Sequence, residues 1–363
     1  MSSKTIDRPF LILTITLVLA GIFIFSSASL GLLAREGITF AGVATNQAFG
    51  LLLGIVLLVI ATRIPYQFWN RYALYILLGG ILLTLLVFVP ELGFSHGGAT
   101  RWLTLGSFSF QPAEVLKLGF VVYFAAWLSG ARHRLGTIRY GILPLAILLV
   151  IIGGILILQP DIGTFLVIAA TGVVMFIAAG GKWRHIFSFG AVALGGLGIL
   201  ALILPYIKTR LLTFINPALD PLGAGYQIQQ SLIAIGSGKF FGRGFGQSVQ
   251  KFNFLPEPVG DSIFAVFAEE WGFVGAVILV IAFVLFSLRG YKIASGAPTY
   301  FSGLLATGLV TIIIVQSFIN IAAMLGVFPL TGEPLIFVSQ GGSALMLALL
   351  EVGIVLGISK TSR

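Results

Sequence analysis

The chain has 363 residues, of which 58% are hydrophobic and only 9% charged, with a mean hydropathy of +1.08. An ordinary soluble domain carries about 25% charged residues, so a soluble globular protein is excluded and an all-α polytopic membrane protein is expected. The formal charge of +9 comes from basic residues spread between apolar runs, which argues against nucleic acid and for topology signals and contact with membrane lipids; the absence of cysteine excludes disulfides and thiolate metal sites.

Apolar runs of about 20 residues suffice to span a bilayer. The first, 10–33, follows Lys4 and Arg8 but is too long for the apolar core of a signal peptide, so it is a membrane helix. Further runs at 44–62, 72–90, 113–129, 141–158, 162–180, 186–206, 262–288, 299–327 and 335–358 bring the expectation to about ten transmembrane helices. With the N-terminus in the cytoplasm, Lys4, Arg8, Arg63, Arg71, Arg132, Arg134, Arg139, Lys182, Arg184, Arg289, Lys292, Lys360 and Arg363 fall on the inner side, and the short outer loops keep only Arg35 and Arg101. That asymmetry places both termini in the cytoplasm.

The expected organisation is a single membrane domain: seven helices over 10–206, one long extracytoplasmic loop over 207–261, and three helices over 262–358. A loop of that length in a compact protein is usually functional or disordered. Apolar residues at Tyr226, Ile228, Leu232 and Ile235 predict a short amphipathic helix within it, lying at the membrane interface. The glycine-rich stretch 236–246 that follows carries Lys239 and Arg243, and its amides are candidates for an anion-binding concavity. It is not a nucleotide P-loop, because the Gly-Lys pair is not followed by Ser or Thr.

Ionisable groups at membrane depth are costly unless paired or facing water. On the outer side three helices begin with a carboxylate in or just before the first turn: Glu114 after Gln111-Pro112, Asp161 after Gln159-Pro160, and Asp261 after Val259-Gly260. Each taken alone is also an ordinary helix-start signal. Lys117, on the same helical face as Glu114, calls for Glu114 or Asp161 as partner. Glu269 and Glu270 lie about 12 to 13 Å along the helix from Asp261; Glu269, about 80° around it, is the candidate for a cavity floor, and Glu270 for a bond between helices. Arg101 beside Trp102 is a candidate for a pyrophosphate or for lipid headgroups. His96, His133 and His185 are too scattered for a zinc site, and no metal ligand can be named.

These residues carry a family resemblance. The segments Gly98–Leu103, Gln111–Lys117, Gln159–Thr164, Gly225–Ser231, Ala234–Gly238, Gln250–Lys251, Leu255–Glu257 with Asp261, and Phe337–Ser343 after Asn320, Gly326, Pro329 and Gly332 resemble the FtsW/RodA family of cell-shape and division proteins, over essentially the whole chain. The stretch 247–258 is more similar to the FtsW branch than to RodA. The resemblance implies a peptidoglycan glycosyltransferase that joins lipid II units at the outer face of the bacterial cytoplasmic membrane, together with a transpeptidase of the class B penicillin-binding protein type. It maps the family's essential aspartate onto Asp261 and brings Glu257 and Ser339 into the candidate site. There are departures: Val259-Gly260 replaces the usual His-Thr, Glu333 stands at an aliphatic position, Ile336 at a proline and Gln340 at a tyrosine.

Such a reaction needs a base for the acceptor sugar's hydroxyl, for which Asp261 is the candidate. It also needs positive charge on the leaving pyrophosphate, from Arg101, Arg243, Lys117 or a divalent cation such as Mg or Mn. Direct displacement would invert the anomeric centre. A lipid II flippase and a non-catalytic division scaffold are the rival readings.

Overall fold

A computed structural model describes residues 5–34, 40–96, 99–105, 108–221 and 223–361; Lys4, Arg35, Gly97, Gly98 and Arg363 lie outside the described residues. The helices are α1 (Arg8–Ala28), α2 (Phe40–Ala61), α3 (Tyr66–Arg71), α4 (Ala73–Leu85), α5 (Pro112–Gly130), α6 (Ile142–Leu158), α7 (Ile162–Ala178), α8 (Trp183–Ile203), α9 (Pro205–Ile215), α10 (Ala224–Ser237), α11 (Ile263–Ser295), α12 (Tyr300–Met324) and α13 (Gly342–Ser359). Among the described residues seven are long and apolar enough to cross a membrane, and three shorter apolar helices, Ala73–Phe88, Ile142–Leu158 and Ile162–Ala178, fall at the remaining expected spans. The protein is a multi-pass helical membrane protein.

One element departs from an all-α expectation. Strands β1 (Gly93–His96), β2 (Ala99–Leu105) and β3 (Phe108–Phe110) form an antiparallel sheet in the order β1-β2-β3, with Leu103 opposite Gly93 on one side and Phe110 on the other. Burial alternates along β2, with Ala99, Arg101 and Leu103 buried and Thr100, Trp102 and Thr104 more open, because successive side chains of a strand point to opposite faces.

Helices α5, α12 and α13 form the buried centre, whereas α8 has no buried residue and faces outward along its whole length. Small residues set the closest helix approaches, as expected where lipid removes the hydrophobic drive between helices. A Cβ added at Gly80 of α4 would lie 2.9 Å from the Leu116 Cα of α5, and one added at Gly119 would lie 2.9 Å from the Leu77 Cα.

Helix α11 is 33 residues long, about 50 Å at 1.5 Å per residue, far more than a hydrocarbon core requires. Gly272, at φ 66° and ψ −166°, breaks it into an outer piece and a spanning piece. The break frees the carbonyls of Glu269 and Glu270 and the amides of Phe273 and Val274 from their helical partners. The glycine-rich loop takes all four: Arg243 N donates to Glu269 O (3.0 Å) and Gly244 N to Glu270 O (3.0 Å), while Phe273 N donates to Lys239 O (2.9 Å) and Val274 N to Phe240 O (3.1 Å). Two of the amides expected to cradle an anion, those of Arg243 and Gly244, are therefore spent on the helix, and those of Gly238, Lys239 and Gly242 on carbonyls of the preceding turn. The glycines serve close approach instead, since a Cβ at Gly238 would meet the Ala268 carbonyl and one at Gly242 the Glu270 carbonyl. Gly272→Ala combines backbone strain of about 1–3 kcal/mol with a collision against the Gly242 amide. A lowered thermal unfolding midpoint in detergent is the expected result.

Candidate active site

Asp261 closes the long loop one residue before the N-cap of α11, Ser262. The main chain at and beside it is fixed by its own loop, by α12 and by the segment between α12 and α13. The Glu257 carbonyl accepts from Gly260 N and Ser262 N, both at 3.1 Å, which turns the chain into the helix. Gln340 N donates to Val259 O at 2.7 Å, joining this turn to the segment between α12 and α13. Asn320 of α12 donates its amide to Asp261 O (2.7 Å) and to Glu333 O (2.8 Å).

The Asp261 carboxylate itself is held more lightly. Gln227 of α10 donates Nε2 to Asp261 Oδ1 at 3.1 Å and to Ser262 Oγ at 3.0 Å, and the side chain is partly exposed. Burial and the exposed Glu257 carboxylate push its pKa up to about 6, against the Gln227 hydrogen bond and the charge of Arg210. Arg210, on α9, is half-buried and, among the described residues, has neither an ion pair nor a side-chain hydrogen bond. Burial and the neighbouring Arg101 lower its pKa, while Asp161, Tyr206 and Asp261 raise it, so it stands among these groups.

The three cations named for the leaving pyrophosphate, Arg101, Lys117 and Arg243, each stand beside a carboxylate. Arg101 Nη1 lies 3.6 Å from Asp161 Oδ1, its Nε donates to Gln159 O at 3.3 Å, and its Nη2 donates to Pro160 O. This clamps β2 to the α6–α7 turn, and Gln159 Nε2 extends the clamp to Thr84 O at 2.7 Å. A cavity of about 460 Å³ lined by Val87, Phe88, Thr100, Leu158 and Pro160 adjoins it. Asp161 caps α7 by accepting from Thr164 N and Thr164 Oγ1. Lys117 meets Glu114, not Asp161, at 2.8 Å, and also donates to Gln316.

Around the α11 break lies a second charged group. Glu269, expected as a cavity floor, instead accepts from Ser248 Oγ (2.6 Å), Val249 N (3.2 Å) and Gln250 N (3.2 Å), with Arg243 Nε 3.5 Å away. It faces the loop because the break at Gly272 brings residues 243–250 against it. Glu270 pairs with the fully buried Lys251 at 2.7 Å and accepts from Ser27 of α1, a bond between helices. Lys251→Ala would leave Glu270 buried and unpaired, a loss of about 3–5 kcal/mol measurable as a fall in unfolding midpoint.

Of the remaining candidates, Lys239 is exposed at the break, Trp102 is half-buried on β2, and Ser339 is buried with its Oγ accepting from Leu335 N at 2.8 Å. The structure thus brings Asp261 together with Glu257, Gln227, Asn320 and Arg210. Arg101 and Asp161 stand nearby, while Lys239, Arg243 and Glu269 gather at the helix break. Among the described residues no three His, Asp or Glu side chains are arranged to hold a metal ion, so no step is assigned to a divalent cation.

A helical bundle that immobilises the backbone of one acid from three elements and leaves its carboxylate accessible is a membrane protein with a carboxylate-centred site beside its spans. The chain belongs to the FtsW/RodA/SpoVE family of cell cycle proteins, whose family model matches residues 8–363. It is 36% identical over 330 residues to stage V sporulation protein E of Bacillus subtilis, covering 91% of this chain and 87% of that protein. It is also 36% identical over 356 residues to the "Probable peptidoglycan glycosyltransferase FtsW" of Geobacter sulfurreducens, covering 97% and 95%. Among solved structures it is similar to a chain from a study of structural coordination of polymerization and crosslinking by a peptidoglycan synthase complex (TM-score 0.79, 28% identity, 98% and 97% covered). The rod shape determining protein RodA of Thermus thermophilus is similar as well (TM-score 0.71, 27% identity, 99% and 98% covered).

Proposed function

We propose that this protein is a peptidoglycan glycosyltransferase that polymerises lipid II, with Asp261 as the general base. The observation that carries the reading is the contrast at Asp261: a backbone pinned from three sides, and a partly exposed carboxylate held by one side-chain hydrogen bond. A base with a pKa of about 6 is mostly ionised at neutral pH and more basic than an ordinary aspartate, which suits proton abstraction from a sugar hydroxyl. The hydroxyl oxygen then attacks the anomeric carbon, the bond to the lipid pyrophosphate breaks with inversion, and the proton passes to Asp261.

The leaving pyrophosphate requires a cation that is not already neutralised. Arg101, Lys117 and Arg243 each face a carboxylate within 3.6 Å; among the described residues Arg210 forms no ion pair. We assign it that role, with Arg101 and Asp161 as its fixed surroundings and Gln227 orienting Asp261.

The distribution of Lys and Arg supports a bacterial cytoplasmic-membrane location with both termini inside and Asp261 at the outer face. The FtsW and sporulation relatives favour the FtsW branch, and the polymerization and crosslinking complex supports a class B penicillin-binding protein as partner. Purified protein in liposomes with fluorescent lipid II tests the reading. Glycan polymer that depends on Asp261 supports it. Transbilayer movement without polymer would make the protein a flippase, and neither product, even with the transpeptidase added, would leave a scaffold.

A further inference from the structure

Two buried carboxylates at this end of the bundle, Glu333 and Glu351, belong to no ion pair among the described residues. The buried cations nearby are Arg101 and Lys117, and each already has an acid of its own, Asp161 at 3.6 Å and Glu114 at 2.8 Å. Glu351 of α13 lines a water-sized void beside Lys117. Glu333, between α12 and α13, has a more telling geometry.

Glu333 Oε1 lies 2.8 Å from Thr164 Oγ1, and the same hydroxyl lies 2.9 Å from Asp161 Oδ2. A hydroxyl carries one hydrogen, so it donates to one carboxylate only. Asp161 has the stronger hold: its charge is balanced by Arg101, and it also accepts from Thr164 N at 3.4 Å. An ionised Glu333 would then press a lone pair against the Thr164 oxygen, with its other oxygen, Oε2, buried and without a partner. A carboxyl hydrogen on Oε1 turns the same contact into a hydrogen bond and removes the charge from the orphaned oxygen, whose burial is far less costly when neutral.

We infer that Glu333 is a neutral, proton-donating carboxyl group, bonded Glu333 Oε1–H to Thr164 Oγ1–H to Asp161, and that it acts as a positioning residue for Asp261 through Asn320. The link is short: the Asn320 amide donates to the carbonyls of both Glu333 and Asp261. The side chain reaches α7 over Gly163, where an added Cβ would sit 2.9 Å from Glu333 Cγ.

The groups facing Glu333 are Lys117 and Glu114 from α5 and Asp161 from α7, with Arg101 of β2 behind Asp161 and Glu351 of α13 sharing Lys117. Lys117 alone among its immediate charged neighbours favours ionisation, and it is engaged with Glu114 and Gln316. Burial pushes the Glu333 pKa up to about 7 against the pull of Lys117 and of the Thr164 hydroxyl, with the Asp161 and Glu114 charges adding to burial. Glutamate at a position the family resemblance assigns to an aliphatic residue thus behaves as a neutral group in acid. It becomes a wedge in alkali: ionisation would separate residues 331–334 from α7 and disturb the turn at Asp261.

The test is infrared spectroscopy of the full-length protein in lipid bilayers, following the C=O band of protonated carboxyl groups against pH. Wild type should lose a component of that band as pH rises through about 7, and Glu333→Gln should lack the component at every pH while Glu351→Gln retains it. Because the folded pKa lies above the ordinary value of 4.5, the matching stability is present in acid and is lost as pH rises from about 4.5 to about 7. The unfolding midpoint of wild type should therefore fall over that window, and that of Glu333→Gln should fall less. Glu333→Ile, which replaces a neutral group by an apolar one, should fold and be at least as stable as wild type above pH 7. An unchanged band in Glu333→Gln, or a strongly destabilised Glu333→Ile, would overturn the inference. The extension to Asp261 rests on the proposed function: glycan synthesis should persist to higher pH in Glu333→Gln. The band and the unfolding midpoint do not depend on that reading, so its failure would leave them standing.

Discussion

Asp261→Asn will lower glycan polymerisation from lipid II by about 10²- to 10⁴-fold, the range for removal of a positioned general base, without loss of folded protein. Asn keeps the shape of the side chain and can still meet Gln227, while the backbone contacts of Asn320, Gln340 and Glu257 do not involve the carboxylate. The pKa supplies two independent checks. Activity should rise with pH through about 6, where the base loses its proton. Stability should run the other way. A carboxyl whose folded pKa exceeds its ordinary 3.8 contributes stability that is complete below about pH 4 and lost as pH rises through about 6, of order 3 kcal/mol at 1.36 kcal/mol per unit. The Asn variant carries no such penalty, so its unfolding midpoint at pH 7 to 8 should equal or exceed that of wild type. Near-normal polymer from a well-folded Asn variant would reject the base role.

The spans were legible because bilayer thickness imposes a length on every crossing helix, and the ten expected runs recur as helices. Pairings at the ends of those helices were not, because they depend on which neighbour arrives. Lys117 had two candidate partners in the sequence, and packing of α5 against α12 placed it on Glu114 and Gln316. The glycine-rich stretch suggested an anion cradle; only the break at Gly272, invisible in an otherwise continuous apolar helix, shows that the amides of Arg243 and Gly244 are needed elsewhere. Gln227 and Asn320 were visible as motif members but had no stated role until the loop and α12 converged on Asp261. Arg210 was passed over because it lies in a long loop outside the reach of the topology rule, although the amphipathic run Tyr206–Phe214 carries a helical pattern that sequence reading could have found.

Arg210→Ala is the second large effect. A cation opposite a departing pyrophosphate stabilises charge that grows only as the bond breaks, so its loss should appear in kcat by about 10²- to 10³-fold, the magnitude for one such donor. Arg210→Lys should recover part of the rate, because a lysine keeps the charge but not the planar fork that engages two phosphate oxygens. The pH profile separates this role from a structural one. Arg210 draws the Asp261 pKa down, so removing it should move the acidic limb of the remaining activity to higher pH, and Arg210→Lys should restore the limb more fully than the rate. Arg101→Ala would behave differently: it strips Asp161 of its counter-ion and β2 of its clamp to the α6–α7 turn, so lost stability should accompany lost activity. Among the described residues Arg210 has no ion pair to break, and its variants should unfold within a few degrees of wild type. A fall in activity that tracks unfolding in both arginine variants alike, with no displacement of the acidic limb, would remove Arg210 from the chemistry and leave the leaving group's charge to be met by another cation.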